Sequence, residues 1–484
     1  MYLGLDLGTS GVKALLIDDR QRPIATASSE IQVSRPHEGW SEQDPQDWIR
    51  ATEDAVGALK QSHPAEIAAV RGIGLSGQMH GATLLDSAGK VLRPCILWND
   101  TRSFREAAEL DANPIFRKLT GNIVFPGFTA PKLAWIRANE PEVFAKVAKA
   151  LLPKDYLRYW LTGEFASEMS DAAGTSWLDV AARRWSAELL AATELSEEHM
   201  PPLVEGTDPC GTLKPELAAK WGMGADVVVA GGAGDNAASA CGMGAVRAGE
   251  AFVSLGTSGV LFAANASYMP NPDSAVHTFC HALPQTWHQM GVTLSATDSL
   301  NWLSGITGLS AQKMGAELGD TLRAPGSVIF LPYLSGERTP HNDAAVRGAF
   351  IGLSHQSDRA ALTQAVMEGV AFSFRDCLEA LRSAGTDLSR VMAVGGGSRS
   401  RYWLKAVATA LGIPVDIPAD GDFGAAFGAA RLGLIAAEKA DPFEVCRAPQ
   451  VRETIEPDAA LLPAFAEAWE RYRALYPAIR PAHP

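Results

Sequence analysis

The pentapeptide LGTSG occupies residues 7–11 of this chain and recurs at residues 255–259, in the other half of the 484-residue sequence. Strand-like runs precede both copies, YLGLD at residues 2–6 and GEAFVS at residues 249–254. Small residues between two β-patterned segments favour a tight turn whose backbone N–H groups point into one concavity. Two such turns, one in each half, would hold a polyphosphate from opposite ends.

Size and composition are those of a globular protein with more than one domain. A chain of 484 residues exceeds one ordinary core and is expected to divide into two or three domains. Hydrophobic residues make up 47% of the chain and charged residues 20%, so bulk disorder is not indicated. The net charge of −13 argues against nonspecific binding to nucleic acid or to anionic membranes.

The cysteines and the N-terminus indicate a cytoplasmic protein. The six cysteines are scattered and form no C-x-x-C pair, a pattern typical of reduced thiols rather than of disulfides or zinc sites. The N-terminus does not resemble a signal peptide, and no apolar run reaches the roughly 20 residues of a membrane span. We therefore expect a soluble cytoplasmic protein with no membrane partner.

The order of strand and helix patterns predicts two α/β domains. The chain opens as strand, turn, strand, which differs from the strand-then-helix opening of a dinucleotide-binding oxidoreductase. VVVA at residues 227–230 is a short, fully apolar strand of the kind found inside parallel sheets. A new strand, turn and strand then begin near residues 244–249. The predicted domains are residues 1–245 and residues 246–484.

Asp6 stands at the end of the first strand, directly before the turn at residues 8–10. An acid beside a turn of backbone donors can hold Mg²⁺ through water while the turn binds phosphate oxygens. The alternative is an aspartate that only caps the amides of its own turn. The second copy of the turn, at residues 256–258, favours the phosphate-binding interpretation.

Asp235 follows the apolar strand and a cluster of glycines at residues 231–234. Glycines let the backbone approach a ligand closely, and a carboxylate at the carboxyl end of a strand stands where α/β proteins bind ligands. Asp235 could accept a proton from a hydroxyl that attacks a γ-phosphoryl group. An aspartate that merely closes a turn is the alternative.

Two further segments are rich in small residues. GGGSRS at residues 395–400 joins a strand pattern to a helix pattern and would offer a helix N-terminus to the ribose or α-phosphate of a nucleotide. A simple tight connection is the alternative. GAAFGAA at residues 424–430 has small residues at helical spacing. It could lie flat against a planar base or pack closely against another helix.

Polar residues also end two strands of the first half, QMH at residues 78–80 and WND at residues 98–100. Together, amide, imidazole, carboxylate and indole groups suit a polyhydroxylated ligand, although each residue alone could be structural. In the loop at residues 331–341, Arg338 would either neutralise phosphate charge or pair with Glu337.

With these motifs in place, the chain resembles the carbohydrate kinases of the FGGY family, within the superfamily that holds actin, hexokinase and the chaperone ATPases. The resemblance covers nearly the whole length. The motifs that carry it are LDLGTSGVK (5–13), GWSEQDP (39–45), SGQMHG (76–81), LWND (97–100), GFTAPKLAW (127–135), PKDYL (153–157), GDN (234–236), LGTSG (255–259), LPYLSGERTPH (331–341) and GGGSRS (395–400).

The resemblance implies two actin-like (ribonuclease H-like) α/β domains with a cleft between them, sugar bound mainly by the first and nucleotide by the second. It implies ATP and Mg²⁺ as cofactors and a possible homodimer. It also implies phosphorylation of D-xylulose in pentose catabolism, because family members that act on xylulose carry Met-His at residues 79–80. Two alternatives remain: a kinase for ribulose, xylitol or a related sugar, and an actin-like ATPase that drives a protein partner.

The resemblance also assigns roles to individual residues. Asp235 is expected to be the catalytic base, with Asp6 supporting it, and both carboxylates would hold the metal through water. The expected sugar-binding residues are Gln78, Met79, His80, Trp98, Asn99, Asp235 and Asn236. The expected ATP-binding residues are Gly8, Thr9, Ser10, Lys13, Gly256, Thr257, Ser258, Gly396 and Gly397.

Overall fold

The computed structural model describes residues 1–419 and 424–480. The predicted second domain therefore includes two stretches, 420–423 and 481–484, that lie outside the described residues. The elements of the first half are β1 (Tyr2–Leu7), β2 (Gly11–Ile17), β3 (Pro23–Glu30), β4 (Glu42–Gln43), α1 (Pro45–Ser62), α2 (Pro64–Ala68), β5 (Gly72–Gly77), β6 (Thr83–Leu85), β7 (Cys95–Ile96), α3 (Phe104–Asp111), α4 (Pro114–Thr120), α5 (Thr129–Asn139), α6 (Pro141–Phe144), β8 (Lys149–Leu151), α7 (Pro153–Thr162), β9 (Ser167–Glu168), α8 (Met169–Ala172), β10 (Leu178–Asp179), β11 (Arg184–Trp185), α9 (Ala187–Ala191), β12 (Leu203–Val204), β13 (Pro209–Thr212), α10 (Pro215–Trp221), β14 (Val228–Ala230), β15 (Ala233–Gly234) and α11 (Asp235–Met243).

The second half continues the chain from residue 251. Its elements are β16 (Ala251–Leu255), β17 (Gly259–Asn265), β18 (His277–Cys280), β19 (Trp287–Thr293), α12 (Thr297–Thr307), α13 (Ala311–Leu318), β20 (Ile329–Leu331), β21 (Ala349–Ile351), α14 (Arg359–Ser383), β22 (Val391–Val394), α15 (Arg401–Leu411), β23 (Val415–Pro418), α16 (Ala425–Glu438), α17 (Pro442–Val445), β24 (Val451–Ile455) and α18 (Leu462–Ile479).

Each half contains a mixed sheet built on the same plan. In the first sheet, ordered β13-β14-β5-β1-β2-β3, β1 pairs antiparallel with β2 and parallel with β5. In the second, ordered β18-β19-β17-β16-β22-β23-β24, β16 pairs antiparallel with β17 and parallel with β22. The two LGTSG copies form the turns of the β1–β2 and β16–β17 hairpins. The predicted class, a two-domain α/β fold of the actin-like type, is confirmed.

Side chains alternate across the strands of the first sheet, and this alternation decides what packs on each face. In β1 and β5, the leucines and isoleucine point to one face, where they join the buried core beneath α1. Three glycines, Gly4, Gly72 and Gly74, lie at alternate positions and leave the middle of the other face nearly flat. A helix can therefore lie directly against the backbone of these strands.

Helix α16 belongs to the second half of the chain but packs against this flat face of the first sheet. A Cβ atom on Gly74 would lie 1.8 Å from the carbonyl oxygen of Ala429. On its other side α16 contacts α11, where a Cβ atom on Gly428 would lie 1.7 Å from the carbonyl oxygen of Ala238. Of the two interpretations of residues 424–430, the structure therefore shows close packing.

Candidate active site

The first LGTSG turn places an acid and a set of small residues at one end of the first sheet. The turn is closed by a hydrogen bond of 2.9 Å from the Gly8 amide to the carbonyl oxygen of Gly11. Asp6, at the end of β1, is partly buried, and its Oδ1 accepts a hydrogen bond of 2.9 Å from the Ser76 hydroxyl on β5. Lys13 lies on β2 opposite Asp6 in the hairpin register. One carboxylate therefore lies beside the turn, with an exposed Ser10 at its tip.

Thr9 connects this turn to the two polar segments predicted to bind sugar. Its hydroxyl donates to Oε1 of Gln78 at 3.0 Å and accepts from Nε1 of Trp98 at 2.9 Å. The side chain of Gln43 donates to the carbonyl oxygen of Thr9 at 2.7 Å and accepts from Nε2 of Gln78 at 2.9 Å. Sequence reasoning missed Gln43 as a site residue, although the GWSEQDP motif that contains it was visible.

Asp235 is the first residue of α11 and lies across β5 from Asp6. Strand β15, which leads into α11, pairs with β5 at Ser76 and Gly77, while β1 flanks the other edge of β5. Oδ1 of Asp235 accepts from the backbone and side-chain nitrogens of Asn236, at 2.7 and 2.9 Å. Burial, and secondarily the charge of Asp6, raise the pKa of Asp235 to about 6. Such a carboxylate is ionised at neutral pH and is suited to accept a proton.

Met79 lies beside the backbone of this aspartate. A Cβ atom on Gly234, the residue before Asp235, would lie 2.9 Å from Cγ of Met79. A Cβ atom on Gly174 would lie 2.9 Å from Cε of the same methionine. The two glycines therefore make the space that the Met79 side chain fills.

His80 follows Met79 and is held on several sides. Its ring Nδ1 lies 2.7 Å from the carbonyl oxygen of Gly174, and the ring stacks on Phe128 with centroids 4.5 Å apart. Nζ of the buried Lys132 donates to the backbone oxygen of His80 at 2.7 Å. Burial, and secondarily the charge of Lys132, lower the pKa of His80 to about 3, so the ring is neutral.

Residues 98–100 differ in exposure and in hydrogen bonding. Trp98 is 47% exposed above the first turn, and Oδ1 of Asn99 is buried without a hydrogen-bond partner among the described residues. Asp100, the last residue of the polar WND segment but not one of the expected sugar-binding residues, is buried. It accepts a bidentate hydrogen bond from Arg102, and the Ser41 amide donates to it at 2.6 Å. Its role is therefore structural.

The second LGTSG turn packs against the triglycine segment. The carbonyl oxygen of Gly256 accepts hydrogen bonds from the amide and hydroxyl of Thr297, at 2.9 and 2.8 Å. Gly395 has φ +88°, and a Cβ atom there would lie 2.7 Å from the carbonyl group of Leu255. Residues 257 and 258 of this turn are exposed.

A cavity of about 630 Å³ opens beside this turn, at the junction of α12, α13 and α15. Its size and its mixture of polar and apolar walls suit a nucleoside. Of the residues that line this cavity, the sequence predicted only two, Gly396 and Gly397. The side chains that complete the wall, and that sequence reasoning missed, include Thr297, Leu300, Asn301, Gln312, Met367 and Trp403.

A second cavity, of about 490 Å³, lies between the two halves of the chain. Asn236 and Ser239 of α11 line it on one side, and Ser254 and Gly395 line it on the other. A cleft between the domains is therefore present next to Asp235.

The guanidinium of Arg338 does not form the ion pair with Glu337 that was one of its two expected roles; only its backbone amide donates to Oε1 of Glu337, at 2.8 Å. Its guanidinium lies 4.4 Å from the ring centre of Phe125, and Nη1 is 3.1 Å from Nε2 of His277. The side chain of Glu337 instead accepts a hydrogen bond of 2.8 Å from the Thr293 hydroxyl. Arg338 therefore packs in an aromatic cluster with Phe125 and His277.

Within the described ranges, no helix is long and apolar enough to cross a membrane. The same part of the chain contains no group of three or more His, Cys, Asp or Glu side chains arranged to hold a metal ion.

Hairpin turns repeated in both halves, a cleft that both halves line and a buried carboxylate with a raised pKa are the features of a two-domain phosphotransferase. Residues 1–242 match the N-terminal domain of the FGGY family of carbohydrate kinases, and residues 251–437 match the C-terminal domain. The chain therefore belongs to the FGGY family of carbohydrate kinases. These kinases use ATP as the phosphate donor, so the predicted sugar kinase activity and the predicted nucleotide are confirmed.

The chain is similar over its whole length to proteins named as xylulose kinases. The xylulose kinase of Escherichia coli (strain K12) is 49% identical, and the match covers 99% of each chain. A crystal structure of a xyloylose kinase from Brucella ovis is 68% identical, with a TM-score of 0.98 over 99% of both chains. The xylulose kinase of Rhodospirillum rubrum is 30% identical, with a TM-score of 0.92 over 99% of both chains.

Proposed function

We propose that this protein transfers the γ-phosphoryl group of ATP to the 5-hydroxyl of D-xylulose, giving D-xylulose 5-phosphate. The observation that carries the proposal is the position of Met79 and His80, which follow the end of β5, with the Met79 side chain packed against Gly234, the residue before Asp235. Full-length similarity to enzymes named as xylulose kinases supports the same substrate.

Asp235 is proposed to take the proton from the attacking hydroxyl. A pKa of about 6 leaves its carboxylate ionised at neutral pH yet basic enough to accept a proton as the oxygen–phosphorus bond forms. The two hydrogen bonds from Asn236 hold one carboxylate oxygen and leave the other for the substrate. Asn236 would thus support the base as well as line the cleft.

The two LGTSG turns are proposed to bind the triphosphate, with Lys13 beside the first of them. Backbone N–H groups of small residues approach phosphate oxygens without steric hindrance. The cavity above Gly396 and Gly397 would take the adenosine. Closure of the cleft would exclude water, which otherwise competes with the sugar hydroxyl for the phosphoryl group.

Asp6 and Asp235 fit Mg²⁺, which binds proteins through one or two carboxylates and keeps several waters beside the substrate phosphates. Both carboxylates lie at strand ends on either side of β5. Bound there, the ion would offset the charge that develops on the phosphoryl oxygens. Because such a site needs no closed cage of side chains, the absence of a three-residue cluster in the described ranges is consistent with it.

The domain boundary between residues 245 and 246, a cytoplasmic location and a homodimer stay predictions. The packing of α16 on the first sheet shows that the second half of the chain contributes to the first structural unit. Light scattering on the purified protein would decide between monomer and dimer.

The substrate is tested by measuring ADP release with D-xylulose, D-ribulose, L-ribulose, xylitol and glycerol, each over a range of concentrations. We expect the highest kcat/KM with D-xylulose. A higher value with another ketopentose or polyol would overturn the proposed substrate but retain the kinase. ATP turnover that is independent of every sugar and increases with a protein partner would instead favour a partner-driven ATPase.

A further inference from the structure

His80 has a backbone conformation that few residues other than glycine adopt. Its φ is +70°, in the left-handed region. Contacts from α5 hold it there: its carbonyl oxygen accepts hydrogen bonds from Nζ of Lys132 at 2.7 Å and from the hydroxyl of Thr129 at 3.2 Å. A strained conformation persists only where the surroundings enforce it, and it is concentrated at functional sites.

Lys132 is an unusual residue for this task. Its side chain is fully buried, and its hydrogen bonds go to two carbonyl oxygens, those of His80 and Gly127, each at 2.7 Å. No carboxylate among the described residues forms an ion pair with it. A buried amine without a counter-ion is costly, and burial lowers the pKa of Lys132 to about 7. The Lys132 side chain therefore serves to hold the carbonyl groups of His80 and Gly127 in place.

A hydrogen bond also fixes the orientation of the His80 ring. Nδ1 is 2.7 Å from the carbonyl oxygen of Gly174, which can only accept a hydrogen bond, so Nδ1 carries the proton. Burial and the nearby cations Lys132 and Arg338 lower the pKa of the ring to about 3. Since the ring is neutral and Nδ1 is protonated, Nε2 carries a lone pair.

We infer that Lys132, Thr129 and Gly174 are positioning residues that hold His80 in one backbone conformation and one tautomer, so that Nε2 serves the sugar site only as a hydrogen-bond acceptor. This inference rests on the proposed function, which puts His80 in that site. A keto oxygen also only accepts, and two acceptors do not pair. A ketose therefore binds with a hydroxyl group toward His80 and with its keto group directed elsewhere.

The tautomer is measured directly on the intact protein without any sugar. In a sample labelled with ¹⁵N-histidine, the His80 signals are those that disappear in the His80→Gln variant. We expect them to report a protonated Nδ1 and an unprotonated Nε2 at every pH between about 5 and about 8, where an ordinary histidine titrates; loss of the Lys132 proton near its pKa of about 7 shifts the signals without changing this tautomer. A protonated Nε2, or a titration of the His80 ring within that range, would overturn the inference.

The positioning role is measured with Gly174→Ala and Lys132→Met. A Cβ atom on Gly174 would lie 2.4 Å from Cε1 and 2.5 Å from Nδ1 of His80, so the ring must move. We expect each variant to raise KM for D-xylulose by about tenfold or more, the effect of losing one well-placed hydrogen bond, and to leave KM for ATP within about twofold.

Two matched controls separate these effects from the substitutions themselves. Gly57→Ala adds a Cβ atom with no neighbour within 4 Å, and Lys146→Met removes an exposed cation from the same half of the chain. Both are expected to keep wild-type constants. An unchanged sugar KM in folded Gly174→Ala, or equal changes in the two KM values, would contradict the inference even if Lys132→Met fails to fold. If the wild type prefers another sugar, the proposed substrate fails, while the tautomer measurement still decides this inference.

Discussion

Replacing Asp235 with asparagine is expected to remove phosphoryl transfer and, at the same time, to stabilise the folded protein at neutral pH. The amide cannot accept the proton of the attacking hydroxyl, and a positioned general base contributes about 10²–10⁴-fold to the rate. The asparagine can still accept the hydrogen bonds that Asn236 donates to Oδ1. The substitution therefore removes the charge with little change in shape.

The gain in stability follows from the raised pKa. Burial and the charge of Asp6 raise the pKa of Asp235 from 3.8 to about 6, so the folded state binds this proton more tightly than the unfolded chain does. The wild-type carboxylate therefore opposes folding increasingly as the pH rises from about 4 to above 6. The difference corresponds to at most about 3 kcal/mol, because the side chain keeps some access to solvent. The Asn variant lacks this cost.

Two assays test this prediction together. Coupled ADP release gives kcat, and urea unfolding at about pH 8 and about pH 4 gives the difference in stability between variant and wild type. The exposed Asp226 provides a control, since Asp226→Asn should change neither quantity. Near-normal kcat in folded Asp235→Asn, or a stability gain that does not shrink at the lower pH, would refute the reasoning.

Four further outcomes are expected. The wild-type kcat/KM should fall as the pH drops through about 6, because a proton on Asp235 removes the base; a flat pH–rate profile would contradict this. Asp6→Asn should raise the Mg²⁺ concentration for half-maximal activity by about 10- to 100-fold, and an unchanged Mg²⁺ titration would exclude Asp6 from the metal site. Gly395→Ala puts a side chain on a residue with φ +88° and displaces the second turn. It should raise KM for ATP about tenfold and leave KM for the sugar unchanged. Equal changes in the two KM values would argue against a role in nucleotide binding. Gly428→Ala should lower the free energy of unfolding by about 3 kcal/mol, because its Cβ would overlap the Ala238 carbonyl oxygen. Urea unfolding measures this, with Gly57→Ala as the control. Equal stabilities of the two variants would contradict the packing of α16.

The features that sequence analysis predicted correctly are local or repeated. A turn of small residues between two strand patterns is specified by adjacent residues, so both LGTSG hairpins were predicted. Motifs such as GWSEQDP and SGQMHG are long and follow one another along the chain in the order typical of the family. The family was therefore predicted as well. The role of Asp235 stays a prediction, which rests on its local pattern: a carboxylate directly after a buried strand occupies a known ligand-binding position.

What the sequence left open depends on contacts between distant residues. The small residues at 424–430 fit a base or a helix equally well, and the deciding partner is the flat glycine face formed by β1 and β5. Asp100 has the same local pattern as a ligand-binding acid, and its hydrogen bond from the Ser41 amide, 59 positions away in the sequence, exists only in the fold. Lys132 reaches the His80 carbonyl across 52 residues of sequence, which no local pattern signals.

The central claim is that the sugar, rather than water or a protein, receives the phosphoryl group through the cleft that contains Asp235. The most direct test is ³¹P NMR of the products formed from ATP, Mg²⁺ and D-xylulose by the wild-type protein. We predict one phosphate monoester at C5 of xylulose for each ADP formed. Inorganic phosphate released at the same rate with and without the sugar, and no phosphate ester, would contradict the account.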